Sequence, residues 1–180
     1  MKQEATYRKW LNVAYQEFAE HGPDFSLKAI SIKEALPRTT FYYHFTNKDD
    51  LIDELLQYHS SKIVVVRDEI SKIKILIPDL YEALYNYKTS LMFYKQLLKN
   101  RHIVNYNDLY IKGNKDVIKG ILPQIKAYFG FEYTYEEIFD FYNTLTDAWY
   151  ATLDFNNFSV KSMTDLAESI MASILRITNE

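Results

Sequence analysis

With 180 residues, 48% of them hydrophobic, the chain has the length for one or two small domains and enough apolar content for a real core. Four glycines and four prolines leave too little turn chemistry for a many-stranded sheet, and the lack of cysteine excludes disulfides and thiolate metal sites. The net charge of −3 is uneven: residues 1–48 carry seven Lys/Arg against five Asp/Glu, and residues 49–180 carry fourteen against nineteen, a weakly basic front on an acidic body.

Apolar spacing predicts an all-α chain of about nine helices, with an N-terminal three-helix domain over 1–48 and a helical domain over 49–180. The first helix runs from Glu4 to Glu20 with Tyr7, Trp10, Leu11, Ala14 and Phe18 on one face, and Gly22-Pro23 ends it. Ser26 caps a second helix carrying Leu27, Ile30 and Ser31. A turn at Ala35-Leu36 leads to Pro37, at the first position of a third helix in which Phe41 and Phe45 face inward. Thr46 or Asn47 caps a long fourth helix with the stripe Ile52, Leu56, His59, Ile63, Val66, Ile70, expected to extend past Lys72.

Pro78 starts a fifth helix with the stripe Leu80, Leu84, Tyr87, Leu91, Tyr94, Leu98. Residues 101–113 form a weaker polar helix, and Asn114–Phe129 another that Pro123 should kink near Gly120. Thr134 and Glu137 form a capping box that opens the eighth helix, and Ser162 caps a last one with Leu166, Ile170, Ile174 and Ile177 on one side.

The second and third helices with their short turn form a helix-turn-helix, whose second helix is built to lie in a DNA major groove. Ser26-Leu27, Ile30-Ser31, Ala35-Leu36, Thr40-Phe-Tyr-Tyr-His-Phe45, Asn47-Lys48 and Leu51 resemble, without gaps, the N-terminal domain of TetR-family transcriptional regulators. Three positions depart from that pattern. Ser31 stands for an alanine, Ala35 for the turn glycine, and Pro37 for a polar residue that often caps the third helix. If the backbone at Ala35 is left-handed, alanine there costs about 1 kcal/mol.

The resemblance implies roles for particular residues. Arg38 and Thr39 would reach base edges from the front of the recognition helix, where arginine suits bidentate contact with guanine. Tyr42 would touch bases or sugar-phosphate. Tyr43, His44 and Lys48 would hold the backbone, joined by Thr40, Ser26 and Lys28. The alternative for each is a solvated surface residue, or for Tyr43 a core aromatic. The resemblance further implies a homodimer through about 134–155 and 162–178, on a palindromic double-stranded operator. For those two helices the alternative is an intramolecular core role.

Sixteen tyrosines and eleven phenylalanines point either to a tyrosine-rich core or to a tyrosine-lined ligand cavity. In the resembled family the second domain holds a small molecule, which implies an unidentified, mainly apolar effector. The residues expected around it are Tyr87, Leu91, Tyr94, Tyr106, Tyr110, Phe141, Tyr142, Leu145 and Trp149, with Phe93 nearby. The expected function is a repressor released from its operator by that effector. The alternative is a helical module that binds a small molecule or a protein partner.

No catalytic or metal-ligating set stands out. The four histidines are scattered, no nucleophile elbow or phosphate loop is present, and helix capping accounts for Asp49-Asp50 and Glu136-Glu137. A polar N-terminus unlike a signal peptide, and the absence of an apolar run near ~20 residues, give the expectation of a cytoplasmic protein without a membrane span.

Overall fold

The computed structural model describes residues 2–130 and 133–177, and among these the chain forms nine α-helices and no strand. The N-terminal unit is built on α1 (Lys2–His21), whose Trp10, Ala14 and Phe18 are fully buried. Gly22 ends it at φ 69°, a left-handed conformation that only glycine adopts at little steric cost. The short α2 (Leu27–Lys33) starts where the Ser26 hydroxyl accepts the Ala29 N–H at 3.2 Å. An ion pair of 2.9 Å from Lys33 to the buried Glu17 ties it back to α1.

The next helix, α3 (Arg38–Phe41), is a single turn, with Pro37 in the N-cap position rather than inside the helix. It is continued only by bonds from His44 N and Phe45 N to the Phe41 carbonyl. Phe41 and Phe45 point inward as expected, their centroids 5.2 Å apart.

Asn47, not Thr46, caps the long α4 (Lys48–Ile70), and the Asp50 carboxylate reciprocates by accepting the Thr46 N–H at 2.8 Å. This helix stops at Ile70 instead of passing Lys72. The segment after it is rich in β-branched residues, and the Asp79 side chain accepts the Lys74 and Ile75 N–H groups, which fixes a non-helical path. The expected fifth helix is two: α5 (Asp79–Tyr85) and α6 (Lys88–Lys99), broken at Asn86-Tyr87. The stripe keeps its helical spacing across the break, so periodicity alone does not reveal it.

The two helices expected between 101 and 129 are one, α7 (Val104–Phe129), which runs through Pro123. Its close approach to α6 occurs at Gly113, where a Cβ would lie 2.1 Å from the Tyr94 hydroxyl. That hydroxyl donates to the Tyr110 carbonyl at 2.7 Å and to Asn114 Oδ1 at 3.2 Å, so a side chain of α6 occupies mid-helix acceptors of α7. The capping box of Thr134 and Glu137 opens α8 (Tyr135–Thr152). The last helix, α9 (Val160–Ile177), is capped by Ser159 rather than Ser162, each accepting the other's N–H through its hydroxyl. Within α9, Met163, Ala167 and Met171 face the core, and the expected row of Leu166, Ile170 and Ile174 is only half-buried beside them. Ile177 is at the end of α9, and its side chain lies outside the described residues.

The two units meet where α1 packs along α6. Phe93 of α6 lies between Phe18 of α1, 4.3 Å away centroid to centroid, and the imidazole of His59 from α4, also at 4.3 Å. Tyr15 stacks on the same ring at 4.8 Å. His59 Nδ1 shares a hydrogen bond of 2.7 Å with the Tyr15 hydroxyl, which donates onward to Ser90, and Nε2 has no partner. Burial, reinforced by the nearby Lys62 ammonium, pushes the imidazole pKa down from 6.5 to about 3, so His59 is neutral in the fold.

Two outcomes follow. Unfolded His59 takes a proton as pH falls through 6.5, and the folded state refuses it until about 3, so stability is lost across that window. Urea titrations at pH 6.5 and 4.5 should show a loss of about 2–3 kcal/mol from this residue, at about 1.4 kcal/mol per pH unit, that is missing in His59→Phe. Separately, Gly113→Ala should cost about 1–3 kcal/mol by driving a methyl into the Tyr94 hydroxyl, with part of that loss recovered in the Gly113→Ala/Tyr94→Phe double variant.

Candidate nucleic-acid interface and interior cavity

The recognition turn is held from behind. The Trp10 indole N–H donates to Thr40 Oγ1 at 3.0 Å, and that hydroxyl donates to the Pro37 carbonyl at 2.6 Å. Phe41 packs edge-on against Trp10 at 5.3 Å, and Phe45 stacks on Tyr7 at 5.5 Å. Ahead of the turn, Ser31 donates to the Leu36 carbonyl at 2.6 Å, and Ala35 sits at φ 50°, the only non-glycine residue with positive φ among the described residues. The alanine therefore occupies the left-handed corner of the helix-turn-helix at a steric cost.

On the outer side Arg38, Thr39, Tyr42 and Tyr43 are exposed, Tyr42 at 58% and Tyr43 at 77%. The Arg38 guanidinium reaches the Tyr42 hydroxyl at 3.4 Å, which aligns the two along one edge. Ser26 and Lys28 are exposed at the start of α2, and His44 is half-buried with its ring edge against Tyr7 at 5.8 Å. Together these residues present two cations, Arg38 and Lys28, hydroxyls and two exposed aromatic faces.

Two of the residues expected on that surface are engaged inward. Thr40 is half-buried and spends its hydroxyl on Trp10 and Pro37. Lys48 is half-buried with its ammonium 4.4 Å from the centroid of Phe25, and burial lowers its pKa against the opposing pull of Asp24 and Asp49.

In the second unit a cavity of about 80 Å³ lies between the 71–78 connector, α5, α7, α8 and α9. Four of the residues expected around a ligand line it: Phe141, Tyr142, Leu145 and Trp149. The other five lie elsewhere. Tyr94 and Tyr110 are buried in the α6–α7–α8 packing, where the Tyr110 hydroxyl donates to Asp147, itself paired with Arg101 at 2.9 Å. Tyr106 is buried with its ring edge on Phe18, as Phe93 is buried in the joint. Leu91 is core and Tyr87 is half-buried at the α5–α6 break.

Beside Tyr142, the polar groups of the wall come from residues outside the expected set: Tyr81, Asn114, Thr146 and Tyr150. Tyr81 and Tyr150 each stand one position from a residue on an apolar stripe, Leu80 and Trp149, which is the only sequence signal for them. Nothing in the spacing marks Thr146. Tyr142, paired with Thr146, has its phenol pushed up to about 12 by burial.

Residues 11–55 match the family model described as bacterial regulatory proteins, tetR family. Two solved structures resemble the chain over nearly its whole length. One is a transcriptional regulator (TerR/AcrR family) from Aquifex aeolicus VF5, with a TM-score of 0.56, 19% identity, and coverage of 96% of this chain and 99% of the other. The second is described as a TetR-family transcriptional regulator from Mesorhizobium loti MAFF303099, with a TM-score of 0.52, 14% identity and 98% coverage of each chain. No curated protein sequence matches the chain.

Relief of the strain at the corner gives a direct check. Ala35→Gly should stabilise the protein by about 1 kcal/mol, raising its melting temperature by about 2–4 °C in a calorimetric scan, because glycine adopts positive φ without the Cβ contact.

Proposed function

By its N-terminal domain the chain belongs to the TetR family of DNA-binding transcriptional regulators, and from that premise we propose that it is a homodimeric repressor released from a palindromic operator by a small, mainly apolar effector. The observation that carries this is the division of labour in the recognition turn. Its inner positions are fixed by Trp10, Phe41 and Phe45, and Arg38, Thr39, Tyr42 and Tyr43 are left exposed outside, with only the Tyr42 ring touching the core, edge-on to Phe41. Arg38 and Thr39 are the base readers in this reading. Tyr42, Tyr43, His44, Ser26 and Lys28 hold sugar and phosphate, and Thr40 and Lys48 act mainly by bracing the turn.

The dimer rests on α8 and α9. Leu166 and Ile170 stay half-exposed beside the exposed Ser169 and Ser173, a strip of apolar and small side chains suited to a second copy of the same helix. The effector half rests on the uncharged cavity in the second unit. Site of action in the cytoplasm accords with a DNA target, and among the described residues no helix is long and apolar enough to cross a membrane.

Fluorescence anisotropy with a duplex from the chain's own upstream DNA, beside a scrambled duplex and at several salt concentrations, tests the reading. The native duplex should bind preferentially with a steep salt dependence. Arg38→Ala should lose about 10-fold or more of that preference, and Lys28→Ala should weaken both duplexes and reduce the salt slope by about 1. Absence of binding to any duplex at low salt, with a selected random library included, would overturn it in favour of a ligand- or protein-binding module.

A further inference from the structure

The cavity is unusual in its polar groups rather than its size. The described residues of its wall include no Asp, Glu, Lys, Arg or His. Its tyrosines fall into two kinds. Tyr142 is paired with Thr146, just as Tyr94 and Tyr110 outside the wall have acceptors in Tyr110 O and Asp147. Tyr81 and Tyr150 are buried as residues, 5% and 7% exposed, no side-chain hydrogen bond acts on either phenol, and neither hydroxyl is among the fully sealed polar atoms that lack a partner. A phenylalanine would fill the same volume without offering a hydroxyl at the cavity wall. Both rings pack against Trp149, Tyr81 at 5.8 Å and Tyr150 edge-on at 5.0 Å, so the two phenols share one indole as neighbour.

We infer that this cavity takes a neutral, compact lipophile, on the order of one aromatic ring, bearing a single hydroxyl or carbonyl that bonds to Tyr81 and Tyr150. The inference rests on the effector-responsive reading above and gives its ligand a chemical class. Size limits the ligand: about 80 Å³ is roughly half the ~150 Å³ of an apolar cavity that holds benzene, so one small ring is the upper bound and enters as the half-buried Ile77 and Leu84 in the wall give way. Charge limits it more strongly. An ion would lose its hydration and find no counter-charge in the wall, a penalty that ring faces alone offset poorly for a carboxylate and only in part for an ammonium. An apolar ring without a polar group would leave both hydroxyls unmet, so a hydroxyl or carbonyl adds affinity over the bare hydrocarbon.

The test uses four ligands of one shape, toluene, benzyl alcohol, benzoate and benzylammonium, titrated into the intact protein by calorimetry. Tryptophan emission gives a second readout, because Trp149 is in the wall and Trp10 is sealed in the other unit. Benzyl alcohol should bind with a Kd on the order of 1 mM or tighter and about 5-fold better than toluene, while both ions bind at least about 10-fold more weakly than the alcohol. The Tyr81→Phe/Tyr150→Phe variant should erase the advantage of the alcohol and leave toluene within about 2-fold of its original affinity. Ions that bind as well as the alcohol, an alcohol preference that survives in the variant, or no binding of any of the four would each overturn the inference. Anisotropy on operator DNA with the ligand-free protein of the same preparations separates the two levels. Retained DNA binding with failed ligand binding removes the ligand class and leaves the regulator standing, whereas lost DNA binding removes the regulator itself.

Discussion

Phe93 is held on both sides, by Phe18 and Tyr15 of α1 and by the His59 imidazole of α4, and this stack is what makes one object of the two units. Three helices share a single fully buried ring, so α1 cannot shift against α6 without also disturbing α4. Polar groups sharpen the restraint. The His59–Tyr15–Ser90 chain restrains the rings, and the Nε2 of His59, unpartnered among the described residues, carries a desolvation penalty that the surrounding packing offsets. The recognition turn sits at the far end of α1 and α4, and its position is set by this joint as much as by local contacts.

A second set of polar contacts organises the body. The Tyr94 hydroxyl takes mid-helix acceptors of α7 at the point where Gly113 removes the side chain that would block it. Asn114 passes the network on to Asn143 of α8, and Tyr110 reaches Asp147 of the same helix. Asn114 is also part of the cavity wall, so the ligand space and the packing of α6, α7 and α8 share a residue. A molecule that moves Asn114 acts directly on contacts that keep the body in register, which is the differential interaction a population shift requires.

The head was largely legible in the sequence, because its signals are local. Ser26, Gly22 and the Phe41/Phe45 pair each declare their role within a few residues, and Ala35 in the glycine position pointed to strain that the φ of 50° bears out. The body was legible in kind and not in division. The break at Asn86-Tyr87 preserves the apolar stripe, and α7 runs unbroken through Gly113, where it meets a hydroxyl donated from another helix that its own pattern does not contain. Cavity residues were half-legible for the same reason. Phe141, Tyr142, Leu145 and Trp149 lie on one stripe of α8, whereas Tyr81 and Asn114 enter the wall only through the relative rotation of separate helices, which no single-helix pattern contains.

The recognition turn has one further implication. Its anchors, at positions 40, 41 and 45, and its outward positions, at 38, 39, 42 and 43, interleave along the chain, and of the outward rings Tyr42 touches an anchor, edge-on to Phe41 at 5.1 Å. A helix of one turn has almost no stability of its own, so its shape is imposed entirely by the anchors. Apart from the Tyr42 ring, the outward side chains are thereby released from a part in holding that shape. Such a surface can drift through sequence space, exchanging one binding vocabulary for another, while the scaffold that presents it stays put.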